Sequence, residues 1–137
     1  MKIFSLFLIA FMSLSTFAEK SPFTYIEFGQ FPGRGDFIQA ENPDYLDENY
    51  TNLVIAINGV ETQKIIDDTK KLYGSDYKCR LAEHFTETLE DIGMNIGDAV
   101  HLTVYLLDGG HQVIQVPNVE LTEDNLLSVQ FETNFCQ

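Results

Sequence analysis

Two hydrophobic rhythms meet in the stretch from Asp76 to Asp108, DYKCRLAEHFTETLEDIGMNIGDAVHLTVYLLD. Wound at 3.6 residues per turn, Tyr77, Leu81, Ala82, Phe85, Leu89 and Ile92 fall on one arc, while Arg80, Glu83, Glu87, Glu90 and Asp91 fall off it. This spacing predicts an amphipathic helix with one buried face. Asp76 suits the N-cap, where a carboxylate accepts from free backbone N–H groups at the positive end of the helix dipole. Gly93 suits the left-handed stop at the other end. Beyond the MNIGD turn the period drops to two: Val100, Leu102, Val104 and Leu106 alternate with His101, Thr103, Tyr105 and Leu107. The helix therefore feeds a strand whose apolar face can lie against it.

The same two periods organise the remainder. Thr24, Ile26 and Phe28 alternate with Tyr25 and Glu27 as a short strand, followed by the glycine- and proline-broken GQFPGRGDF, which reads as a turn. Residues 41–49 are a polar acidic loop, and Asn49, Tyr50 and Thr51 form an N-glycosylation sequon. NLVIAINGV, residues 52–60, is a β-branched strand that Gly59 ends or bulges. Residues 61–73 permit either a short helix closed by Gly74 or an exposed loop. Asp108, Gly109 and Gly110 predict the positive φ angles of a tight hairpin, whose returning strand from His111 to Val116 is ended by Pro117. Leu127, Val129, Phe131, Thr133 and Phe135 alternate with polar neighbours and predict a final half-buried strand. The expectation is a single α+β domain: a mixed β-sheet of four or five strands, packed on one face by an amphipathic helix.

The chain opens with Lys2, an apolar run, and small residues up to Ala18, the pattern of a secretory signal peptide over residues 1–18. Its apolar core is shorter than the ~20 residues a membrane span needs. The expected product is residues 19–137 as one domain, secreted or periplasmic, with no membrane association after signal removal. Lys and Arg number 8 against 21 Asp and Glu, for a formal charge of −13 that loss of Lys2 makes more negative still. Phosphate-rich partners would repel such a surface, which argues against nucleic acid and anionic membranes. Cys79 and Cys136, in an oxidising compartment, predict one disulfide, which the chain-entropy account values at about 4 kcal/mol. No histidine lies at ligand spacing from either thiol in the sequence, so no metal is expected, and no motif calls for a cofactor.

Three segments in register resemble the RidA/YjgF family, the reactive-intermediate (enamine/imine) deaminases. Gly35–Ala40, GDFIQA, looks like the family's GPYxQA turn; Asn52–Gly59, NLVIAING, looks like its NLVFVSGQ strand; Gly93–Asp108 is similar to its GLxxxDVVKxTVYLxD run. The resemblance implies a RidA/chorismate-mutase-like fold, here shortened, because a hairpin at Asp108–Gly110 replaces the helix that normally follows. It also implies hydrolysis of an imine formed from an amino acid, at sites between subunits of a homotrimer. In the family an arginine pairs with the substrate carboxylate and a glutamate positions water. Carried over position by position, the family's tyrosine is Phe37, its arginine is His111, its glutamate is Ser128 or Gln130, and its SGQ serine is Asn58.

A framework kept beside substituted chemistry points to a non-catalytic exported domain, whose acidic or wet face binds a small carboxylate-bearing molecule or a cationic protein. The alternatives are an imine deaminase with a site rebuilt around His111, Asn58 and Tyr105, and an acidic inhibitor or immunity-type protein for a cationic exported enzyme. The catalytic candidates by resemblance are His111, Asn58, Ser128 and Phe37.

Overall fold

The computed structural model describes residues 19–33 and 35–136; the expected signal peptide lies outside them, as do Arg34 and Gln137. Six strands form one sheet: β1 (Tyr25–Phe31), β2 (Gly35–Glu41), β3 (Asn52–Ile57), β4 (Val60–Glu61), β5 (Ala99–Leu106) and β6 (Gln112–Glu120). Their order is β1-β2-β3-β5-β6, with the two-residue β4 paired to β3. Every pairing is antiparallel, which corrects the expected mixed sheet. The physical reason lies in the connections. Hairpins join β1 to β2, β3 to β4 and β5 to β6, and the helical excursion after β4 delivers the chain to β5 running against β3.

Alternation decides which side chains face the core. Register places Ile38 opposite Val54, Val54 opposite Val104, and Val104 opposite Ile114, a continuous apolar row across four strands. On this row and its neighbours lie Ile65 and Ile66 of α1 (Thr62–Tyr73), Leu81 and Ala82 of α2 (Tyr77–Glu83), Phe85 and Leu89 of α3 (Phe85–Asp91), and Val129 of α4 (Glu123–Glu132). Complete burial of each such leucine, isoleucine or phenylalanine contributes about 1.5–3 kcal/mol. The oily stripe of the central helix thus shares one core with Val100, Leu102 and Val104, as its spacing predicts.

Several elements differ from expectation. The central helix is two helices, because His84 leaves helical conformation (φ −129°, ψ 47°) between α2 and α3. Thr88 repairs the gap by donating its hydroxyl to the Arg80 carbonyl at 3.0 Å. Asp76 makes no side-chain cap; a 3-10 turn, Gly74–Asp76, leads into α2 instead. Gly93 does stop α3 with φ +92°. The open question at residues 61–73 resolves as helix α1, closed by Gly74. The GQFPGRGDF segment is largely strand, since β1 runs to Phe31 and β2 begins at Gly35.

Pro117 does not end β6. It lies where the β5–β6 register shifts between Val100 and Leu102, a bulge in which no ladder N–H is required, and Asn118 there takes φ +56°. The turn before β6 spans Leu107–His111, with positive φ at Gly110 and His111 rather than at Asp108 and Gly109. Asp108 instead accepts from the Thr51 N–H at 2.6 Å, and that backbone bond is the first cause holding its carboxyl below the usual range.

The largest correction is the last segment, which is helix α4 and not a strand. Thr122 caps it by accepting from the Asn125 N–H at 3.0 Å, and Glu123 and Asp124 fill its first turn, favourably placed for the dipole. Leu126 and Val129, three apart, are buried, whereas Leu127 and Phe131 are 62% and 89% exposed. The Cys79–Cys136 disulfide is formed, with Cα atoms 4.6 Å apart, and ties the segment after α4 to α2 across 57 residues of sequence. Among the described residues no helix is long and apolar enough to cross a membrane.

Candidate functional site

Among the described residues, the helices cover one face of the sheet and none lies on the other. Odd-numbered positions of β1, β2 and β5 point to the open side: Gly29 and Phe31, Gly35 and Phe37, then His101, Thr103 and Tyr105. Aromatic residues gather there. The Phe31 ring lies 5.1 Å from Phe37 and 6.2 Å from Tyr105, and Tyr105 lies 5.8 Å from the His111 ring. Gly29, directly across from Phe37 in the register, makes this arrangement possible. A Cβ at Gly29 would fall 2.5 Å from Phe37 Cζ, so the missing side chain is the space the ring occupies.

Beside these rings opens a pocket of about 450 Å³, lined by Phe31, Phe37, Ile55, Thr103 and Tyr105 together with Asp36, Glu61 and Gln63. Among the described lining residues there are two carboxylates and no cation. Asp36 is held from the helix side. Gln30 and Gln63 donate to it at 2.8 and 3.0 Å, and the Lys70 ammonium lies 3.6 Å away. Burial pushes the Asp36 carboxyl up, but these bonds and the Lys70 charge outweigh it and hold the group below the usual carboxylate range. Gln63, which also accepts from the Asp36 N–H, therefore joins α1 to the start of β2 in the pocket's lining.

The residues expected from sequence divide between this site and other work. Phe37 and Tyr105 line the pocket. His111 stands at its edge, its Nδ1 2.6 Å from the Tyr105 hydroxyl. His101 lies further along the open face, 2.5 Å from Gln115 Oε1, which also accepts from Thr103. The two histidines thus have separate partners. Asn58 is spent on structure: with φ +50° it forms the turn between β3 and β4 with Gly59, and its Oδ1 accepts from the His101 N–H at 2.8 Å. Ser128 and Gln130 sit on α4, which packs against β1 and α2 and shares the covered side's core, so neither joins Phe37 and His111. Phe31 was hidden from sequence reasoning, because its place beside Phe37 depends on the β1–β2 register.

A second cluster lies where the central helix breaks. His84 Nδ1 is 3.7 Å from Glu19, and ligand atoms of Glu19, His84 and Glu87 all fall within 4.8 Å of one another. Burial, and then the hydrogen bond with Glu87, raise the Glu19 carboxyl. Arg80 contacts Glu87 at 3.1 Å, and its guanidinium lies 4.3 Å from the centre of the Tyr73 ring. His84 is also within 4.8 Å of the sulfurs of Cys79 and Cys136; Cys79 is a near neighbour in sequence, and folding brings the distant Cys136 to the pair.

Compared with known proteins, the chain matches no family model, no curated protein and no solved structure.

Proposed function

We propose that this protein is a non-catalytic exported binding domain, and that the open sheet face is its binding surface. The observation that carries the reading is the aromatic pocket of Phe31, Phe37 and Tyr105, where the family's tyrosine is a phenylalanine without a hydroxyl and to which Asn58 and Ser128 contribute nothing. The segments that resemble the RidA/YjgF family form β2, β3 and β5, neighbours in the sheet, which supports a RidA-like framework. Export is supported by the leader pattern and by a disulfide that suits an oxidising compartment.

Of the ligand chemistries, a cationic group fits better than a carboxylate. A carboxylate would meet the unpaired charge of Glu61 with no described lining cation to pair with, Asp36 being already balanced by Lys70 from the helix side. An ammonium or guanidinium would meet aromatic faces and negative charge together, an arrangement worth about 0.5–2 kcal/mol per ring contact. The cation is a small organic amine or a Lys or Arg side chain of a basic protein. Calorimetric titration with an arginine amide, with a basic peptide and with a matched carboxylate distinguishes them. Binding of either cationic ligand, weakened at high salt and in Tyr105→Leu, is the expected result. Preference for the carboxylate, or indifference to Tyr105→Leu, would overturn the reading.

The Tyr105 hydroxyl, 2.6 Å from His111, favours one second reading: a rebuilt imine deaminase in which this pair moves a proton. It requires turnover of a freshly generated 2-imino acid above the buffer rate, lost in His111→Ala. The binding reading expects no such turnover.

A further inference from the structure

The described residues offer three groups that the binding reading leaves unused: the exposed Leu127 and Phe131 on α4, the acidic Glu19–Glu87 pair, and the histidine beside the disulfide. His84 sits at the helix break, outside the regular α2 and α3 geometry, with its ligand atom within 4.8 Å of both sulfurs. That places two sulfurs and one imidazole nitrogen around a single point, the donor set of a three-ligand tetrahedral zinc site with a free fourth position. Glu19 stands on the Nδ1 side of the same ring at 3.7 Å, a carboxylate whose charge favours a cation at the imidazole. Cys136 is exposed and Cys79 half-buried, so reductant and metal both have access.

We propose that Cys79, Cys136 and His84 form a redox-gated site for a thiophilic divalent cation such as zinc, closed by the disulfide and opened by its reduction. The chemistry balances through an external dithiol. The dithiol passes two electrons and two protons to the Cys79–Cys136 bond, giving two thiols and the oxidised cyclic disulfide. Zinc then takes both thiolates and the neutral His84 imidazole, and two protons leave to solvent. The metal replaces the lost covalent tie between α2 and the segment after α4, so the staple survives reduction in another form.

Cobalt reports the site directly, because tetrahedral cobalt with thiolate ligands shows intense visible bands. The full chain, purified oxidised and reduced with a phosphine, is titrated with Co2+ and then with Zn2+. The expected result is one equivalent of cobalt bound with thiolate–cobalt bands only after reduction, and displaced by zinc. Cys136→Ser abolishes the bands. His84→Ala weakens binding by at least the roughly 10- to 100-fold seen when a supporting partner of a metal ligand is removed. His84→Ala retains the disulfide and is checked for folding in the oxidised state by circular dichroism. Equal uptake by oxidised and reduced protein, or unchanged affinity in His84→Ala, would overturn the proposal. So would a reduced protein that neither develops the cobalt bands nor, where reduction has unfolded it, regains its dichroism when zinc is added.

Discussion

Replacing Gly29 by alanine tests the aromatic bed of the open face, because its effect must change sign with the residue at position 37. The added Cβ would lie 2.5, 2.9 and 3.2 Å from three carbons of the Phe37 ring, where comfortable carbon contacts need ~3.5–4.0 Å. The ring cannot slide freely away, since Phe31 rests against it at 5.1 Å. Overpacking of this kind costs about 1–3 kcal/mol. Against it stands the ordinary gain of about 0.5–1 kcal/mol when alanine replaces glycine in a strand. Gly29→Ala is therefore expected to destabilise the protein by about 1 kcal/mol. In a Phe37→Ala background the clash disappears and the same substitution stabilises by about 0.5–1 kcal/mol. The coupling, on the order of 1–2 kcal/mol, is read from urea unfolding of the four proteins in the cycle. Equal effects of Gly29→Ala in both backgrounds would refute the placement of the Phe37 ring over Gly29.

Other substitutions probe the rest of the fold. Cys136→Ser should lower the unfolding free energy by about 4 kcal/mol, the loop-closure value for a 57-residue separation, measured by denaturant titration in the absence of metal. Thr122→Ala should cost about 1 kcal/mol in urea unfolding, whereas a strand at residues 123–132 would have no cap to lose and would leave stability nearly unchanged. Asp36, whose folded-state pKa is depressed, contributes stability above the usual carboxylate pKa of about 3.9 and loses it as pH falls through the lower folded value. Urea midpoints should consequently fall more steeply with acidification in wild type than in Asp36→Asn. A parallel decline would show that Gln30, Gln63 and Lys70 do not favour the ionised group.

The sequence made the middle of the molecule legible because each signal there was local and single. Val100, Leu102, Val104 and Leu106 could alternate only as a strand with one buried face, and that is how β5 sits. The stripe from Leu81 to Leu89 was legible for the same reason, but the break at His84 was not. Both halves keep the stripe facing the core, so the spacing of apolar residues is nearly blind to one non-helical residue. The last segment carried two signals at once. Alternation of Leu127, Val129 and Phe131 competed with the Leu126–Val129 spacing and the Thr122 cap, and the cap prevailed by satisfying backbone donors that a strand there would have left to other partners. Pro117 looks like a terminator in the sequence alone, because the register that gives it a bulge depends on β5.

The site was half legible. Phe37 enters through the resemblance and Tyr105 through the alternative of a rebuilt site, and the fold sets both against the pocket. Phe31 and the space supplied by Gly29 arise from cross-strand register, and the approach of His84 to Cys136 arises from chain reversal over dozens of residues. No periodicity encodes contacts of that range.

The most direct measurement of the central claim is an amide-resolved NMR titration of the isotope-labelled protein with an arginine amide. Shifts concentrated at Gly35, Phe37, Ile55, Thr103 and Tyr105, and absent in Tyr105→Leu, are the predicted outcome. Shifts confined to α2, α3 or α4, with the open face silent, would contradict it.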